Sequence, residues 1–115
     1  MDEPLLIDPV ATRNRIFLAP MSGVTDLPFR RIAQRCGAGM VVTEMVASRE
    51  LVANRQESWT RLKAADFRPH VVQLAGREPE WMAEAAKISE AQGADIIDIN
   101  MGCPAKKVTG GYSGS

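Results

Sequence analysis

Four stretches of the chain are short and apolar enough to read as strands buried on both faces. They are Arg15-Ile-Phe-Leu-Ala19, Met40-Val-Val-Thr-Glu44, His70-Val-Val-Gln-Leu-Ala75 and Asp95-Ile-Ile-Asp-Ile-Asn100. Between the first two, Phe29, Ile32, Ala33 and Cys36 fall at the i, i+3, i+4, i+7 spacing of one apolar helix face. Thr25 or Asp26 can cap that helix, Pro28 falls in its first turn and Gly37 supplies a stop. Cys36, on the apolar face, reads as a small core residue. The segment from Ala47 to Ala64 is helical but broken and polar, with Trp59 as its main apolar anchor. A clearer helix opens at Pro79 between two glutamates and carries Trp81, Met82, Ala85 and Ile88 as its apolar stripe, with Gly93 as its stop.

Strands thus alternate with helices, and strand starts recur roughly every 25 to 30 residues. Such alternation predicts parallel strands joined by right-handed crossovers, in an open doubly wound sheet or in part of a (β/α)₈ barrel. A complete barrel takes about 250 residues. If the strands belong to a barrel, the 115 residues of this chain would hold only its first half, the N-terminal half of a TIM barrel. One partial α/β domain over residues 1–115 is expected, with four parallel strands, ending before a fifth. Open strand edges and an uncovered apolar face, including Val42, Val71 and Ile96, predict self-association of the isolated chain.

Composition narrows the function. Fourteen Lys and Arg balance fourteen Asp and Glu, so the chain cannot hold nucleic acid by bulk charge alone. Its two cysteines, Cys36 and Cys103, are far apart, which argues against a disulfide framework or a structural zinc, and no metal-ligand cluster is visible. The acidic N-terminus and the lack of an apolar run near ~18 residues predict a soluble, cytoplasmic protein without a membrane span. Neither G-x-G-x-x-G nor a P-loop occurs, which disfavours a Rossmann site or P-loop.

In α/β proteins, chemistry gathers at the carboxyl ends of the parallel strands. Ser22, Glu44, Gln73 and Asn100 lie there, and strand alternation lets Glu44, Gln73 and Asn100 converge. Each residue taken singly reads more readily as a strand end bonded to a loop, and three at equivalent ends turn the reading toward a site. In Asn100-Met-Gly-Cys103-Pro104, the glycine permits close backbone approach and the proline stiffens the chain after the thiol. Cys103 reads as a buried thiol or as a catalytic one, and no His partner stands near it for a Cys–His nucleophile. His70 begins the third strand, at the opposite end, and reads as structural. Arg30 with Arg31, and Lys106 with Lys107, read as solvated surface pairs or as contacts to a phosphate backbone.

Three ordered segments carry a resemblance. Leu18-Ala-Pro-Met-Ser-Gly-Val-Thr-Asp-Leu-Pro-Phe-Arg30, Val72-Gln-Leu-Ala-Gly76 and Asp98-Ile-Asn-Met-Gly-Cys-Pro-Ala-Lys-Lys-Val108 resemble the tRNA-dihydrouridine synthases. The last run looks most like the bacterial synthase B subgroup. The likeness covers nearly the whole chain after about residue 12. It implies a TIM-barrel flavoenzyme that reduces specific tRNA uridines to 5,6-dihydrouridine with NADPH, and FMN at the barrel mouth. Pro20, Met21, Ser22 and Gln73 would contact FMN, Asn100 would bind the target base, and Cys103 would give a proton to C5 after hydride reaches C6. A thiol with an ordinary pKa near ~8.5 keeps its proton at pH 7, as a general acid must. The family's later FMN contacts, its phosphate loops and its helical tRNA-binding domain have no counterpart before Ser115, so the isolated chain is expected to be inactive. The competing readings are an FMN barrel acting on a free pyrimidine such as dihydroorotate, and a half-barrel module without catalysis.

Overall fold

The strand Val71–Ala75 is buried along its whole length, and the other elements are arranged around it. The computed structural model describes residues 3–63 and 66–102. In chain order the elements are β1 (Leu6–Ile7), β2 (Val10–Ala11), β3 (Phe17–Leu18), α1 (Leu27–Arg35), β4 (Met40–Val41) and β5 (Val46–Ala47). These are followed by α2 (Ser48–Val52), α3 (Gln56–Arg61), β6 (Val71–Ala75), α4 (Pro79–Ala91) and β7 (Ile96–Ile99). All five residues of β6 are buried, and β6 pairs in parallel with β5 on one side and β7 on the other. On the far side β3 pairs in parallel with β4, and a parallel bridge from Val42 to Val71 joins that pair to the start of β6. The result is an α/β structure whose parallel strands lie side by side in chain order, as the alternation predicts.

Local signals decide the helices. The Asp26 side chain accepts from Phe29 N–H at 3.0 Å and caps α1, with a proline in the first turn. Gly37 and Gly93 end α1 and α4 with φ of 106° and 99°, values that only glycine adopts without strain. Between β5 and β6 the helical segment breaks at Asn54, whose φ is +64°, giving the two short helices α2 and α3. Their main anchors are Leu51 and Leu62, both fully buried; Trp59 packs against that core from its rim and is only half-buried. These leucines join Val46, Val72, Leu74 and Ala85 in one apolar cluster, where each buried aliphatic side chain contributes about 1.5–3 kcal/mol.

Several expectations need correction. The second strand is not continuous: it advances four residues from Val42 to Val46 while β6 advances three from Val71 to Leu74. The extra residue makes a bulge that separates β4 from β5. An antiparallel hairpin, β1–β2, precedes the parallel strands and has no sequence counterpart in the expectations. It delivers Ile7 onto a second apolar cluster of Met40, Val42 and Val71, flanked by Ile96. Val42 and Val71 are therefore buried and Ile96 partly so, contrary to an open apolar face at these residues. Finally, the stripe on α1 points outward: Phe29 is 40% and Ile32 59% exposed, and Cys36 is an exposed thiol. Arg30 is instead the buried residue of that helix, because its Nε donates to Thr25 O at 3.1 Å. It is thereby withdrawn from the surface role expected of it, while Arg31 pairs with Asp66 at 3.5 Å.

His70 ties these layers together. Its ring is buried, and Nε2 donates to Leu62 O at 2.9 Å, linking the end of α3 to the start of β6. Its backbone N–H donates to Asp95 Oδ2 at 2.7 Å, ahead of β7. Burial of Asp95 works to raise its carboxyl, but the His70 N–H and Arg68 outweigh this and hold it below the usual range. For His70, burial is the main influence and lowers its pKa, aided by nearby Arg30 and Arg68 against the Leu62 bond and Asp95. The folded state therefore takes up the imidazole proton less readily than the unfolded state, whose value is near ~6.5. Stability should fall as pH drops below that value, toward the lowered folded pKa. Thermal melts at pH 7 and pH 5 are expected to show this decline, and His70→Gln, which keeps a donor for Leu62 O, should flatten it. An equally steep decline in the variant would assign the effect to other groups.

Candidate active site

Midway along β6 lies Gln73, the one polar side chain in the strand and only 7% exposed. A buried amide without partners would cost about 1–3 kcal/mol, so its surroundings must bond it. Two neighbours bond the amide and a third bonds the Gln73 backbone. Thr43, inside the bulge, accepts Gln73 N–H on its hydroxyl at 3.0 Å and donates that hydroxyl to Glu44 O at 2.9 Å. Asp98, the register partner of Gln73 on β7, accepts from Gln73 Nε2 at 2.7 Å. Asn100 donates from Nδ2 to Gln73 Oε1 at 3.3 Å. Its position is fixed by its own N–H, which donates to Leu74 O at 2.9 Å.

Asn100 also spans to the next loop. Its Oδ1 accepts Gly102 N–H at 3.0 Å, and its Nδ2 lies 3.6 Å from Met45 Sδ. The row Asp98–Gln73–Asn100–Gly102 therefore runs across two strands to the residue immediately before Cys103. Cys103 itself lies outside the described residues, as do Lys106 and Lys107.

The segment after β3 forms a tight turn at the same end of the strands. Val24 and Thr25 N–H groups both donate to Met21 O, at 3.0 and 2.9 Å, and Met21 N–H donates to the buried Thr25 hydroxyl at 3.0 Å. Gly23, at φ +74°, gives its N–H to Glu44 Oε1 at 2.6 Å. This leaves the Met21 and Ser22 side chains exposed and Pro20 half-buried.

The convergence expected at the strand ends is thus divided. Gln73 and Asn100 meet, but Glu44 does not join them. The bulge re-aims Glu44 toward Gly23 and toward Arg61, whose Nε lies 4.0 Å from its carboxylate. Arg61 also donates to Met45 O at 2.6 Å. Beside Glu44, Asp26, Arg30, Thr60, Arg61 and Lys63 line a separate cavity of about 300 Å³. Three participants were not singled out from sequence: Asp98, Thr43 and Met45. Asp98 carries a readable signal, since it shares a strand face with Asn100 two residues later. Thr43 and Met45 belong to the bulge, which leaves no mark in the hydrophobic pattern. Among the described residues, no three His, Cys, Asp or Glu side chains form a metal-binding group, and no helix is long and apolar enough to cross a membrane.

Comparison with known proteins bears on these segments directly. The family model described as Dihydrouridine synthase matches residues 17–115, which include the turn after β3 and both amides. A probable tRNA-dihydrouridine synthase of Rhizobium leguminosarum bv. phaseoli is 76% identical over 106 residues, which cover 92% of this chain and 33% of the relative. One of Rhodobacter capsulatus is 59% identical over 87% of this chain and 32% of its own length. The tRNA-dihydrouridine synthase B of Pseudomonas aeruginosa is 52% identical over 95% of this chain and 33% of its own. The chain thus spans about a third of the length of these curated relatives. With its three ordered segments and its paired strand-end amides inside the matched region, the chain belongs to the dihydrouridine synthase family.

Proposed function

We propose that this chain is the N-terminal part of a TIM-barrel tRNA-dihydrouridine synthase that uses FMN and NADPH to reduce uridines in tRNA. The observation that carries the reading is the bonded pair Gln73–Asn100, with Asn100 just past the end of β7 and three residues before Cys103. The side-by-side order of the parallel strands suits half of a barrel, which later strands would close. The relatives named as acting on tRNA support the substrate class.

The residues present fit a flavin ring. After bonding Asp98 and Asn100, the Gln73 amide keeps one N–H and one oxygen lone pair, suited to the polar edge of the ring. Pro20, Met21 and Ser22, on the turn fixed by Thr25 and Glu44, would close over an apolar face. When bound and reduced by NADPH, FMN supplies hydride for C6 of the uracil. Asn100 would orient the base, which must leave its stack to reach the site. Cys103 would deliver its thiol proton to C5 as the C5=C6 double bond is lost, and the thiolate would then regain a proton from water. A cytoplasmic location follows from a tRNA substrate.

Two outcomes test the assignments, in protein of the length its relatives have. Cys103→Ala should slow uridine reduction by about 10²–10⁴-fold, the usual contribution of a general acid, while NADPH still reduces the flavin at a near-normal rate in stopped-flow. Parallel collapse of both half-reactions would remove the proton-donor role. Gln73→Ala should weaken FMN binding by roughly 1–3 kcal/mol, since a hydrogen-bonding group of the bound flavin would be left buried without its partner. Asn100→Ala should leave FMN titrations nearly unchanged and impair uridine reduction. Equal loss of FMN in the two variants would show that the division between cofactor and base is wrong.

A further inference from the structure

An amide side chain has nearly the same shape either way round, so its partners decide which end is oxygen. A carboxylate can only accept. Asp98 Oδ2, 2.7 Å from Gln73 Nε2, therefore obliges Gln73 to turn its NH₂ toward β7. That leaves Gln73 Oε1 facing Asn100, which must answer with Nδ2. Asn100 Oδ1 is then directed at Gly102 N–H, 3.0 Å away. The strand register already fixes where these side chains start, because Gln73 stands opposite Asp98 and Asn100 N–H is held by Leu74 O. What the register leaves open is the direction of each amide.

We propose that Asp98 is the positioning residue of this site, setting through one acceptor bond the direction of both amides and of the loop start before Cys103. The inference rests on the function proposed above only for its catalytic consequence. Asp98 touches neither base nor flavin in this scheme and acts through Gln73. With a carboxamide at position 98 either direction becomes available, since that group donates as well as accepts. If Gln73 reverses, Asn100 must offer Oδ1 to it and release Gly102 N–H.

The test uses FMN-loaded protein of the length its relatives have. In Asp98→Asn, side-chain amide signals of Gln73 and Asn100 in ¹⁵N-correlated spectra are expected to double or broaden as two directions interchange. Uridine-reduction kcat should fall about tenfold or more, the equivalent of one lost charge-assisted bond, with KM for tRNA within about twofold. The double variant Gln73→Glu with Asp98→Asn makes residue 73 the acceptor for both neighbours. It should return the Asn100 amide to a single set of signals, whatever the glutamate does to flavin affinity. Wild-type amide signals together with wild-type kcat in Asp98→Asn would overturn the proposal, as would an Asn100 amide still split in the double variant. If the amide signals respond as expected but the unmutated protein reduces no uridine in tRNA, the positioning role stands and the proposed function fails.

Discussion

A glutamine inside the most enclosed strand of a parallel sheet imposes a demand that its neighbours must meet. Four of the five residues of β6 are aliphatic and every one is buried, so the Gln73 side chain has little access to water. Its backbone and both ends of its amide must then be bonded by protein, at a cost of a few kcal/mol if they are not. Thr43 answers for the backbone, and Asp98 and Asn100 for the amide. Each comes from a different place: the bulge, the middle of β7, and the residue just past its end. Satisfying one buried polar side chain thereby aligns two neighbouring strands and the loop that leaves the second.

The bulge serves two purposes at once. By adding a residue between Val42 and Val46 it frees the Thr43 hydroxyl to act in place of a ladder carbonyl. It also swings Glu44 out of line with the amides, to hold Gly23 and so the turn that carries Met21 and Ser22. Glu44 does this next to Arg30, whose pKa is lowered by burial, with Glu44 and Asp26 opposing the shift. The amide row and the turn are consequently built by separate contacts from one irregular segment. At the other end of the strands the hairpin covers the apolar layer around Val42 and Val71. Near the starts of β6 and β7 this apolar layer adjoins the bonded His70, Asp95 and Arg68, while the row of amides lies toward the other end of the strands.

The strands, the helix caps and stops, and the family resemblance were legible along the chain because each depends on residues close in sequence. Alternating elements fix a parallel arrangement, Asp26 and Pro28 fix the start of α1, and Gly37 and Gly93 fix the helix ends. Gln73 and Asn100 were recognisable as strand-end polar residues for the same reason. Tertiary structure alone decided which of these side chains meet. A one-residue bulge shifts the side chains after it without altering composition or apolar periodicity, so Glu44 left the group while Thr43 entered it, and the β6–β7 register brought in Asp98. Burial of the α1 face was likewise not readable from its spacing. A helical stripe records a capacity to pack, but whether Phe29 and Ile32 are covered or Arg30 is enclosed depends on what lies across from them. The hairpin escaped notice because two-residue strands carry too little pattern to register, although Ile7 supplies the cover for a core cluster. Periodicity is a local property of the chain; the pairing of distant side chains is set by register and packing, and these exist only in the folded molecule.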